Sequence, residues 1–247
     1  MLRPTTSTAS LSTPSPPGPG PAARADLLDR RRGRAASDGV RFPVCIIDDF
    51  LGSDACARLH AFAVDNEAAF APSRVHTREQ RQVIQTGLRD SFTFSGSFGP
   101  QMAPFHARLD ESYDRIAARL GTGLFERNPT ELHMVAHRDG QYLGRHIDTQ
   151  TSPTPSAPVN NRVMTLIYYF NREPRAFTGG DLVIYPMIGD AHEVIAPRAD
   201  RLVAIPSFAP HEILPVEVPG NRFADARFAL VSWLVRPPAA ASPAGAA

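Results

Sequence analysis

The chain contains no lysine. All 26 of its basic residues are arginines, so any bound anion must be held by guanidinium groups, imidazoles or backbone amides. Cysteine is almost as scarce. Cys45 and Cys56 are too few for a disulfide framework and lack the CxxC spacing of a zinc or redox motif, which leads us to expect a reducing, cytoplasmic setting. No apolar run resembles a membrane span, and the opening "MLRPTTSTASLSTPSPPGPGPAARA" has no continuous apolar region of the signal-peptide kind. An excess of one charge is missing too. With 26 basic against 25 acidic residues the net charge is +1, so no global field draws nucleic acid or an anionic lipid surface. Neither is an expected partner, and the local "RRRGR" run at Arg30 to Arg34 reads as solvated linker.

What is present suffices for one substantial domain: 247 residues, 43% of them hydrophobic. Residues 1–36, rich in Pro and Ser, and residues 237–247 carry too little large apolar surface to fold and are expected to be disordered tails flanking a domain over 37–236. The run "RFPVCIIDDFL" predicts a strand. Ser53 is the expected N-cap of a following helix that carries Cys56, Leu59 and Ala63 at helical spacing. Residues 71–100 show weak periodicity and are expected to form a loop. "QMAPFHARLDESYDRIAARLG" predicts a second helix, with Phe105, Leu109, Ile116 and Leu120 on one face and Gly121 as its stop.

From residue 131 the texture changes to eight short segments with period two or continuous apolar character: "ELHMVAH", "QYLGRHID", "RVMTLIYYFN", "GDLVIYP", "HEVIAP", "RLVAIPS", "HEILPVEV" and "RFALVSWL". Turn residues separate them, and the spacing suggests a sandwich, jelly roll or barrel. Within "QYLGRHID", strand geometry sends His146 and Asp148 to one face and Ile147 to the other. A third ligand is available from His211, at the start of "HEILPV". Two imidazoles and a carboxylate on one octahedral face form the ligand set usual for non-haem Fe(II) oxygenases. Three such ligands with an open position also suit zinc.

The motifs "GQYLGRHID", "RVMTLIYYFN", "TGGDLVIYP", "RLVAIPS", "HEILPV" and "RFALVSWL" run in an order that resembles the catalytic core of the prolyl 4-hydroxylase-like 2-oxoglutarate/Fe(II) dioxygenases, over residues 131–236. The resemblance implies a mainly β fold with flanking helices, a double-stranded β-helix or jelly roll. It carries the catalytic metal triad onto His146, Asp148 and His211. It also calls for a late basic residue that holds the distal carboxylate of 2-oxoglutarate; the pattern from Arg227-Phe228-Ala229 to Trp233 favours Arg227, with Arg222 as fallback. Tyr169 matches a tyrosine whose hydroxyl reaches the same carboxylate. His137 stands where many relatives carry a tyrosine lining the cosubstrate pocket, and His133 shares its strand face.

The implied cofactors are Fe(II), 2-oxoglutarate and O2, with ascorbate as an expected stimulant. The implied reaction is hydroxylation of an unactivated C–H bond with release of succinate and CO2. Asp148 argues against the halogenating relatives, which need a small residue at its position. The expected partner is a prolyl or other peptidyl side chain, a free amino acid or a small metabolite. Two other readings stay open: a non-catalytic metal-binding sensor or interaction module on the same jelly roll, and a zinc hydrolase. The second leaves Arg227, Tyr169 and the "GGDL" motif without a task. Segments 71–90 and 150–161 are candidates to close over substrate. The arginines of 71–90 (Arg74, Arg78, Arg81 and Arg89) are expected on a solvated face, as is Arg162 at a strand end. Gly179-Gly180 reads as a tight turn.

Overall fold

A computed structural model of the protein describes residues 39–73, 75–76, 82–83, 88–126, 131–149 and 162–236. The expected tails at 1–36 and 237–247, the segment 150–161, and Arg74, Arg78 and Arg81 lie outside the described residues. Strand β1 (Cys45–Ile47) leads into helix α1 (Ser53–Asp65), which buries Cys56, Leu59 and Ala63 as its spacing predicted. Ser53 is not the cap. It is the first helical residue, and the preceding Gly52 turns the chain with φ 87°. The backbone N–H groups of Leu51 and Gly52 are satisfied by Asp200, far away in sequence, whose carboxylate accepts both at 2.8 Å and also accepts the Tyr168 hydroxyl at 2.8 Å.

The stretch read as a loop contains strands β2 (Phe70–Pro72), β3 (Val75–His76), β4 (Gln82–Val83), β5 (Arg89–Asp90) and β6 (Phe92–Phe94). Strands of two or three residues leave little periodic trace. These draw their stability from partners: Phe70 and Phe94 are buried with ring centroids 5.4 Å apart, and β6 pairs with the strand Glu131–His137. Helix α2 (Ala103–Leu120) buries Phe105, Leu109, Ile116 and Leu120 and ends at Gly121 with φ 67°, the left-handed conformation that favours glycine.

All eight apolar segments after residue 130 form strands: β7 (Glu131–His137), β8 (Tyr142–His146), β9 (Arg162–Tyr169), β11 (Leu182–Ile184), β12 (Glu193–Ile195), β13 (Arg201–Pro206), β14 (His211–Ile213) with β15 (Val216–Glu217), and β16 (Arg227–Val235). Before β11, Thr178–Gly179 forms the short β10 and pairs with β15. A seven-stranded antiparallel sheet runs β1-β13-β9-β16-β7-β6-β2, and a five-stranded sheet runs β12-β11-β14-β8-β5.

Strand period two divides the large sheet between two cores. Tyr168, Phe228 and Leu230 pack with Leu59, Phe105 and Ile116 of the helices. Ile167, Tyr169, Val203 and Ala229 pack with Leu182, Ile184 and Ile213 of the small sheet. Burial on both faces explains why β9 and β16 read as continuous apolar runs in the sequence. The result is the expected jelly roll with helices on its outer face.

Candidate active site

Strand β8 ends at His146 and β14 begins at His211, and the two are register partners with ring centroids 4.3 Å apart. Asp148 follows β8 by two residues and is fixed by its own backbone N–H, which donates to the Ser207 carbonyl at 2.8 Å. One ligating atom from each of these three side chains lies within 4.8 Å of the other two. Each imidazole Nδ1 is 2.9 Å from the carbonyl two residues earlier in its own strand or turn, Gly144 for His146 and Ala209 for His211. A carbonyl only accepts, so Nδ1 carries the proton and the Nε2 lone pair is left facing Asp148. The Nε2 atoms stand 3.5 Å and 3.6 Å from the two carboxylate oxygens. Lone pairs directed at a carboxylate repel unless a cation lies among them, and two imidazoles with one carboxylate are suited to a divalent transition metal.

The surroundings reinforce this polarity. Thr165 donates to Asp148 Oδ2 at 2.7 Å and lies 3.1 Å from the Ser207 hydroxyl. Burial alone would push the Asp148 carboxyl up; contact with His146 and the positive fields that His211 and His146 carry when protonated outweigh it and hold the group well below the usual carboxylate range in the metal-free site. Burial, with His146 adding to it whenever that ring is protonated and the Asp148 charge opposing, pushes His211 down to about 4, which keeps a ligand-competent neutral imidazole at neutral pH.

The triad forms one wall of a cleft. The opposite wall is the large sheet. Counting by twos from Arg227 along β16 brings Ala229, Val231 and Trp233 to this face, and counting by twos along β7 brings His133, Val135 and His137. Arg227 is fully buried. Its Nε donates to the Gly180 carbonyl at 2.8 Å, its Nη2 to the Tyr169 hydroxyl at 3.3 Å, and its Nη1 lies 3.5 Å from His137 Nδ1. None of these partners is a carboxylate. Burial accordingly depresses the guanidinium pKa, with Tyr169 and Asp181 offsetting part of the cost. Gly180 makes room for this side chain: its φ is 68°, and a Cβ there would stand 2.6 Å from Arg227 Cδ. Arg222, the fallback, sits on the surface with its side chain 70% exposed, 3.6 Å from Asp225.

The structure thus brings His146, Asp148, His211, Arg227 and His137 into one cavity, with Tyr169 bonded to Arg227 behind it. The solvated-face reading of Arg89 is overturned. Its strand β5 pairs with β8, which carries the side chain into the cavity wall, where Nε donates to the Ser91 hydroxyl at 3.0 Å; burial lowers its pKa and the Asp148 charge opposes that shift. Arg162 is likewise not solvated, since it stacks 3.9 Å over the Trp233 ring and pairs with Glu131. Sequence reasoning missed Thr165, Ile167 and the lining role of Trp233. For Trp233 a signal existed, its even spacing from Arg227. The cavity offers a metal-ready donor set at one end and, at the other, a buried cation with no carboxylate partner among the described residues, which together suit a small carboxylate ligand that also reaches a metal.

The family model described as 2OG-Fe(II) oxygenase superfamily matches residues 132–235. A PKHD-type hydroxylase, itself uncharacterized, from Synechocystis sp. is 26% identical over 197 residues, which cover 76% of this chain and 61% of that protein. The chain therefore spans less than two thirds of that relative's length. A crystal structure of a Pseudomonas putida prolyl-4-hydroxylase matches with TM-score 0.58 at 21% identity, covering 87% of this chain and 98% of that one. A Trichoplax adhaerens prolyl hydroxylase, solved with a hypoxia inducible factor oxygen degradation domain peptide fragment, matches with TM-score 0.57 at 22% identity, covering 78% and 83%. These structural likenesses establish a shared fold.

Proposed function

We propose, from the match of residues 132–235 to the 2OG-Fe(II) oxygenase superfamily model, that the protein is a hydroxylase of unactivated C–H bonds. In this reading His146, Asp148 and His211 hold Fe(II), while Arg227, Tyr169 and His137 hold 2-oxoglutarate. The observation that carries the reading is the fully buried Arg227 guanidinium, bonded among the described residues only to neutral groups, in the same cavity as the triad. A planar guanidinium binds a carboxylate with two parallel charge-assisted hydrogen bonds. Fe(II), with 2-oxoglutarate and O2, supplies the oxidising chemistry, in which the keto acid leaves as succinate and CO2.

The chain's own residues position, shield and polarise. The Gly144 and Ala209 carbonyls orient both imidazoles, and Thr165 fixes one Asp148 oxygen. Gly180 leaves space for Arg227 and accepts its Nε–H. Val135, Ile167, Ala229 and Val231 give the cavity dry walls, which strengthen each charged contact inside it. A peptidyl side chain is the favoured substrate class, supported by the Trichoplax relative's peptide complex and by Arg89 and Trp233, whose N–H groups suit backbone carbonyls.

The test is an anaerobic titration of the protein with Fe(II) and 2-oxoglutarate, watching the visible charge-transfer band of the chelated keto acid. We expect a band in the parent and none in His146→Ala, with succinate release once peptides and O2 are supplied. Bound Fe(II) with no band on adding 2-oxoglutarate overturns the reading.

A further inference from the structure

His137 ends β7 and is the register partner of Arg227 at the start of β16. It is 1% exposed. Burial, then the charges of Arg227 and Arg89, hold its pKa well below the ordinary imidazole value, so the ring is neutral and carries one proton for two nitrogens. Geometry decides which nitrogen has it. Nδ1 lies 3.5 Å from Arg227 Nη1, a long hydrogen bond, and a guanidinium has donors and no acceptor. A proton on Nδ1 would set donor against donor beside a positive charge. The proton therefore belongs on Nε2, and Nε2 is a buried donor that makes no hydrogen bond among the described residues, a condition native proteins rarely leave unmet. The ring lines the cavity.

We propose that Arg227 locks His137 as its Nε2–H tautomer and that His137 thereby becomes a dedicated hydrogen-bond donor, beside Arg227 and Tyr169, to a carboxylate or keto oxygen of the ligand. This rests on the reading that the cavity takes 2-oxoglutarate. It goes beyond that reading in fixing the direction of the bond: an imidazole with its proton held on Nε2 donates to the ligand and never accepts from it, unlike a phenol, which does either. This end of the cavity then selects oxygens that bear no proton.

Two measurements test it. The first takes full-length protein, 15N-labelled at histidine and loaded with diamagnetic Zn(II), and reads the protonation of each His137 nitrogen from long-range 1H–15N correlations, assigned by the signals lost in His137→Gln. Nδ1 should read as unprotonated and Nε2 as protonated, and the Nε2 proton should move downfield on adding 2-oxoglutarate. The second measures 2-oxoglutarate affinity by calorimetry. His137→Phe, which keeps a ring and loses the donor, should bind about tenfold more weakly, whereas His137→Gln, which keeps an N–H at similar reach, should stay within about threefold of the parent. A proton on Nδ1, an Nε2–H signal unmoved at saturating ligand, or parental affinity in His137→Phe overturns the proposal. If His137→Phe does not fold, the spectra of the unaltered protein decide alone. If the parent binds no 2-oxoglutarate, the cosubstrate reading falls and the donor role with it, while the tautomer is still read from the ligand-free spectrum.

Discussion

Replacing Gly180 by alanine perturbs the cavity without removing any polar group. The structure gives the cost in two parts. At φ 68° a residue with a Cβ pays about 1–2 kcal/mol for the left-handed conformation. The new methyl also meets Arg227 Cδ at 2.6 Å, Val216 Cγ2 at 3.0 Å and Arg227 Nε at 3.2 Å. An exposed arginine would swing away. Arg227 is fully buried and anchored through Nε to the Gly180 carbonyl itself at 2.8 Å, so moving it breaks a charge-assisted hydrogen bond of about 1.5–3 kcal/mol. The expected total is about 3–5 kcal/mol, measured by urea denaturation of metal-free protein, together with at least a tenfold loss of 2-oxoglutarate affinity. Gly220→Ala is the control. Its φ is 75° and nothing lies within 4 Å of its added Cβ, so it pays only the backbone part, about 1–2 kcal/mol. Equal losses in the two variants, with unchanged affinity in Gly180→Ala, would refute the claim that this glycine exists to seat Arg227.

Acid should weaken the metal-free protein through its buried histidines. His133, His137 and His211 all have folded-state pKa values below the ordinary 6.5, His211 at about 4. The unfolded chain therefore binds more protons across that window, and stability falls as pH drops from about 6.5 toward about 4, by roughly 3 kcal/mol from His211 alone. Urea midpoints at pH 7.5, 6 and 5 should decrease in that order, and a flat series contradicts the burial argument. Asp200→Ala should cost about 3–5 kcal/mol, because it strands the Leu51 and Gly52 N–H groups and the Tyr168 hydroxyl together; a calorimetric loss under about 1 kcal/mol would show that water replaces the carboxylate.

The parts of the fold legible in the sequence are those whose pattern repeats over several residues. Helix α2 showed its face through Phe105, Leu109, Ile116 and Leu120 and its end through Gly121. The strands after residue 130 showed theirs by alternation or by apolar runs bounded by turns. What stayed hidden depends on contacts distant in sequence. Strands β2 to β6 are too short to write a period, and α1 has its entry fixed by Asp200, 148 residues after Gly52. At the site, the i, i+2 rule grouped His146 with Asp148, and the motif order supplied His211, Arg227 and Tyr169. The same reasoning placed Arg89 in solvent, because only the pairing of Arg89 with Leu143 turns it inward. Gly180 was legible as a turn but not as the space Arg227 occupies.

The two halves of the cavity belong to different layers. His146 and His211 stand on the small sheet, whereas Arg227, Tyr169 and His137 stand on the large one. Any molecule reaching from one half to the other is a tie-beam across the sandwich. Its fit is set by the gap between layers, which Ile167, Ile213 and Leu182 hold open by packing alone. Trimming one of these aliphatic side chains changes that spacing without touching a polar atom, so chemistry at the triad inherits its tolerance from residues that carry no chemistry themselves.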